Sequence, residues 1–110
     1  MQFITRFHIK PFTGSAFQEW LKTHHDDLAD NAPEGWTYLG TWLTVRHFGR
    51  YDGEMRFELE DYAALGSGFG TEVFQRLFLE KYHEFIDFSR GQIEASLMKS
   101  PTEVDVMEGT

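Results

Sequence analysis

The residues with chemical potential in this sequence are its histidines and a surplus of aromatic side chains, and their spacing decides which of them could act. His24 falls at helical spacing with Phe17, Trp20, Leu21 and Leu28. An imidazole on that stripe faces inward, where it could serve as general base or orient a polar ligand group, or simply be a core-edge histidine satisfied by a neighbour. Phe78 and Tyr82 stand on a second helical stripe with Phe74, Leu77 and Phe85, so Trp20, His24, Phe78 and Tyr82 are the candidate lining of a cleft between sheet and helices. His25, Asp26 and Asp27 read as solvated. His24 and His25 are adjacent and point apart, and no His-x-Glu or two-His-one-carboxylate spacing accompanies them, so no metal site is expected. Gly66, Gly68 and Gly70 precede a helix start in "GSGFGTE", where backbone N–H groups could hold an anion. The stretch lacks the lysine of a phosphate loop and the spacing of a dinucleotide fingerprint, and it reads as a loop near the cleft mouth. No Ser-His-Asp arrangement is present.

These side chains must be positioned by elements that the pattern names in turn. "QFITRFHIK" alternates and predicts a first strand, with Phe3, Phe7 and Ile9 on one side and Ile4, Arg6 and His8 on the other. Pro11 stops it, Ser15 with Gln18 supplies a helix-start signal, and the first helix ends before Pro33 and Gly35. "GWTYLGTWLTVRHF" predicts a long second strand from Gly35 to Phe48. The dipeptide Asp52-Gly53 predicts a hairpin turn into "EMRFELE", and Met55, Phe57 and Leu59 there oppose Arg56, Glu58 and Glu60. A second helix is expected from Thr71 to Asp87. "QIEASLMK" gives the last strand, and Val104 and Val106 could add an edge strand. The order strand, helix, strand, strand, helix, strand predicts an α+β fold of the ferredoxin-like βαββαβ kind, a four-stranded antiparallel sheet in the order 4-1-3-2 with both helices on one face.

The second strand then poses a problem. Counted by twos, Leu39, Leu43 and Val45 share one side, while Trp36, Tyr38, Trp42 and Arg46 share the other. With the first set beneath the helices, the second sheet face holds Trp36, Tyr38 and Trp42 among Arg6, His8, Arg46, Arg56, Glu58 and Glu94. Such an aromatic patch exceeds what monomers usually expose, and a second copy of the same face is the economical cover. A homodimer is therefore expected, with the charged residues paired in a network or forming the polar end of a cavity that includes Tyr38, Trp42, His8 and Arg46. A strict two-residue turn at Asp52-Gly53 would put Phe57 on the wrong side, so this pairing requires a bulge, expected near Gly49.

Composition bounds the rest. The chain has 110 residues, enough for one domain, read as residues 1–100 followed by a short acidic tail at 101–110. A formal charge of −8 argues against nucleic acid. With no cysteine there is no disulfide framework or thiolate nucleophile. No span of about 18 apolar residues suits a membrane helix, and without the apolar run of a signal peptide the expected location is cytoplasmic.

"FQEWLKTHHDDLADNAPEGWTYLGTW", followed by a hairpin, "LEDYAAL" and a second helix, resembles the dimeric α+β barrel superfamily, which includes EthD-like, NIPSNAP-like and antibiotic-biosynthesis-monooxygenase-like proteins. That resemblance implies two sheets packed back to back and ligands entering between a protomer's sheet and its helices. It also invites comparison of His83 with the iron-binding histidine of the haem-degrading branch. His83 stands off the main apolar stripe and the first strand lacks that branch's asparagine, so no cofactor is expected. The sequence leads to a homodimer that binds a small apolar or amphipathic molecule, an acyl chain or an aromatic acid. The alternative is a cofactor-independent monooxygenase or isomerase with His24 as general base.

Overall fold

The computed structural model describes residues 1–45, 51–67 and 72–102. Four strands, β1 Gln2–Phe7, β2 Trp36–Leu43, β3 Gly53–Leu59 and β4 Glu94–Met98, form one antiparallel sheet in the order β2-β3-β1-β4. Read from the other edge this is the expected order, and the α+β architecture is compatible with a ferredoxin-like one. Helix α1, Gly14–Asp30, joins β1 to β2. It begins at Gly14, so Ser15 lies within the helix. Thr13 occupies the N-cap position without a side-chain cap bond, its hydroxyl instead donating to the Lys10 carbonyl at 2.7 Å.

The second helical segment departs from a regular helix. Helix α2 is confined to Glu72–Gln75, and the chain continues as a π-helical stretch, Arg76–Lys81, and a 3-10 turn, Tyr82–Phe85. The two helical segments cover one sheet face, and their apolar stripes bury Phe17, Leu28, Phe74 and Tyr82 against Phe7, Met55, Phe57 and Leu59. Those last four point where strand alternation puts them, because burial of one face fixes the register.

Strand β2 differs from its expected phase. Below Tyr38 the pairing runs Trp36 to Leu59 and Tyr38 to Phe57; above it, Gly40 pairs with Arg56, Thr41 with Met55 and Leu43 with Gly53. Leu39 is the extra residue of a β-bulge. An inserted residue reverses which side later side chains face, so Trp36 and Tyr38 turn under the helices together with Thr41 and Leu43, while Trp42 alone of the three goes to the other face. The expected grouping of Trp36, Tyr38 and Trp42 on one face is therefore corrected. Trp36 meets Phe3 and Phe57 edge-on at 5.4 and 5.2 Å and its indole donates to the Ala64 carbonyl at 2.7 Å. The bulge sits at Leu39; the expected position, Gly49, lies outside the described residues, as do Arg46, Gly68, Gly70 and the tail's Val104 and Val106.

Asp52-Gly53 is also not a two-residue turn. Gly53 is the first residue of β3, opposite Leu43, and a Cβ there would lie 2.6 Å from the Phe7 ring. Glycine at this position lets the fully buried Phe7 ring lie flat against the strand.

Candidate functional site

A cleft of about 900 Å³ lies between α1 and the β2 edge of the sheet. Helix α1 contributes Gln18, Leu21, Lys22 and His25, which recur at i, i+3, i+4 and i+7 and so form one line along the helix. The sheet contributes Tyr38, Thr41 and Leu43, gathered on this side by the bulge. Tyr38 and Thr41 share a hydrogen bond between their hydroxyls at 2.6 Å, and the His25 ring lies 5.4 Å from that of Tyr38. Burial pushes the Tyr38 phenol above its ordinary pKa, with the Thr41 hydrogen bond acting in the opposite sense.

At its open end the cleft is bounded by Ile9, Lys10, Val45 and Asp52. Asp52 is engaged elsewhere: it accepts from the Ile9 backbone N–H at 2.8 Å and from Arg90. Lys10, Lys22 and His25 place basic side chains along this cleft in a chain whose formal charge is −8, Lys22 also lying 3.6 Å from the Glu19 carboxylate. Apolar walls with a few polar groups that fix orientation are the usual make-up of small-molecule sites.

The four residues expected to line the cleft come together elsewhere. Trp20 stacks on His24 at 4.7 Å and lies 6.2 Å from Tyr82, and Phe78 stacks on Tyr82 at 5.2 Å. They form a packed aromatic interior with Phe7, Phe17 and Phe85, and none of the four is among the described residues lining the cleft. His24 Nδ1 lies 2.9 Å from the Trp20 carbonyl; since a carbonyl only accepts, that nitrogen carries the proton. Tyr82 is 1% exposed, and burial followed by the charge of Tyr38 pushes its phenol well above the ordinary value.

Of the other expected positions, Tyr38 and Trp42 are among the residues lining the cleft, although the Trp42 ring turns to the opposite face. Trp42 is half exposed, with the Arg56 guanidinium 5.3 Å from its ring. Arg6 Nε donates to Glu54 at 2.9 Å and its Nη1 lies 3.6 Å from Glu94, while Arg56 Nε donates to the second Glu54 oxygen at 2.7 Å. The ion-pair network expected across a dimer is thus formed within one chain. His8 is buried against Tyr51, ring to ring at 5.1 Å, with Nδ1 3.9 Å from Asp52. His83 is half buried, and burial lowers its pKa. Among the described residues no group of three or more His, Cys, Asp or Glu could hold a metal ion, and no helix is long and apolar enough to cross a membrane.

Sequence reasoning passed over Lys10, Lys22, His25 and Thr41. The signal for the α1 residues was present, since Gln18, Lys22 and His25 flank Leu21 at the same helical spacing that selected His24. For Thr41 the signal was the glycine before it, a residue that marks bulges inside strands. Set against known proteins, the chain matches no family model, and no curated protein matches it in sequence.

Proposed function

We propose that this chain binds a small amphipathic molecule, an acyl chain or an aromatic acid, in the cleft between α1 and β2. What supports this reading is the combination of a cavity of about 900 Å³ with an apolar wall at Leu21 and Leu43 and a basic rim at Lys10, Lys22 and His25. An anionic head group at the rim gains charge-assisted contacts, and the apolar body displaces water from the leucine side chains. Isothermal titration with dodecanoate and benzoate tests it. Wild type should bind at least one of them, and Lys10→Glu/Lys22→Glu should weaken that binding about tenfold at low salt and less at high salt. Absence of binding by wild type to both probes contradicts the reading.

The reading includes a homodimer paired through the helix-free sheet face. Its support there is narrower than the sequence implies: Trp42 and Met98, each 51% exposed, are apolar side chains set among charges of both signs, as a self-complementary two-fold surface requires. Sedimentation at micromolar concentration should give a two-chain species that Trp42→Glu converts to single chains. A single-chain wild type would remove the dimer and leave the cleft reading in place.

A further inference from the structure

Tyr82 is the buried polar side chain that the cleft does not use. Its hydroxyl is fully enclosed and has no hydrogen-bond partner among the described residues. Native interiors seldom leave a hydroxyl unpaired, and phenylalanine would fill the same space without that cost. The rings around it, Phe7, Phe17, Trp20 and Phe78, carry no acceptor atom. His83, the next residue, likewise has a buried Nε2 without a partner among the described residues.

Two observations connect this hydroxyl to the cleft. From Tyr38 in the cleft wall a series of ring contacts runs inward: Tyr38 to Phe57 at 5.4 Å, Phe57 to Phe74 at 5.9 Å, Phe74 to Phe78 at 5.8 Å and Phe78 to Tyr82 at 5.2 Å. Phe78 itself belongs to the π-helical stretch Arg76–Lys81, and π-helical turns recur at functional sites because the widened ring re-aims side chains. Tyr82 keeps its proton at neutral pH, burial having raised its pKa, so its O–H hydrogen is a donor that an acceptor brought to it would satisfy.

The geometry points to Tyr82 as an inner binding residue, whose hydroxyl donates to a neutral carbonyl oxygen of a ligand that enters from the cleft past Tyr38. The acceptor is neutral because the rings of Phe7, Phe17, Trp20 and Phe78 around Tyr82 carry no cation, and a carboxylate would be buried among them without compensation. Carboxylates belong instead at the basic rim. The ligand class narrows accordingly to amphipathic molecules with a ketone, ester or amide carbonyl within the apolar body. This rests on the cleft reading above.

Acetophenone and ethylbenzene, matched in shape but differing in the carbonyl, make the test, with wild type and Tyr82→Phe compared by calorimetry and by the emission of neighbouring Trp20. Tyr82→Phe should weaken acetophenone binding about three- to tenfold, leave ethylbenzene unchanged, and melt at or above the wild-type temperature, since it removes an unpaired polar group. Equal acetophenone affinity in both proteins, or a lower melting temperature for the variant, overturns the assignment. Binding of dodecanoate or benzoate by wild type without any binding of acetophenone overturns this assignment alone. No binding of any of the four probes overturns it together with the cleft reading.

Discussion

The two faces of the sheet share the same four strands but are stabilised by different physics. Beneath the helices, Phe57 is 2% exposed and packs its ring against Trp36, Tyr38 and Phe74. On the opposite face the same strand presents Glu54 and Arg56, paired with each other and with Arg6 while still reached by water. Burial of apolar area dominates on one side, and screened ion pairs on the other contribute little each. The comparison teaches where function can reside. The covered face has a defined cavity at its α1 edge and a hydroxyl without a partner among the described residues, whereas the open face pairs Glu54 with Arg6 and Arg56 and exposes Trp42 and Met98.

Substitutions on the two faces can break or sharpen this contrast. Phe57→Ala should cost about 3–5 kcal/mol of stability, because it empties a site that several rings enclose. Urea unfolding measures this, and a loss close to that of a surface change would mean that the covered face is not the core. Glu54→Ala removes the shared acceptor of Arg6 and Arg56; made in the single-chain Trp42→Glu background, it should cost less than about 1 kcal/mol in the same assay, because both guanidinium groups then keep access to water. A loss rivalling that of Phe57→Ala in that background would show this face to belong to the core of the single chain.

The smallest expected effect is a pH dependence. Burial holds His83 below the ordinary imidazole pKa, so the unfolded chain takes up a proton there before the folded chain does. Its contribution to stability is complete above the unfolded value of about 6.5 and is lost as pH falls from there through the folded pKa. His83→Gln should flatten that part of the stability profile between neutral and mildly acidic pH, measured by thermal unfolding. An unchanged profile would assign the acid sensitivity to another group.

How much of this was legible in the sequence depended on whether a local period persisted. Strands β1, β3 and β4 and helix α1 followed their two- and 3.6-residue periods, so their inward residues could be read directly. Strand β2 could not be read by the same rule, because the extra residue at Leu39 reverses the parity midway. Gly40, with φ of +134°, marks the place where the backbone takes a conformation that other residues rarely adopt. Asp52-Gly53 matched a turn dipeptide, but here the glycine answers to the Phe7 ring and not to a turn. The interruption of the second helix had no sequence counterpart: Phe74, Phe78, Tyr82 and Phe85 keep an α-like spacing through a stretch whose backbone is partly π and partly 3-10. The cleft was misplaced for a related reason. His24 lies on the most apolar stripe of α1, yet that stripe is the one that packs, and the neighbouring mixed line through Gln18, Lys22 and His25 faces the open space.

The central claim is that an amphipathic ligand occupies the α1–β2 cleft, and backbone amide chemical-shift mapping on addition of dodecanoate tests it most directly. Saturable shifts should appear at Gln18, Lys22, His25 and Thr41 while Ser96 and Arg6, on the open face, stay unmoved. Shifts confined to the open face, or none at millimolar dodecanoate, would contradict it.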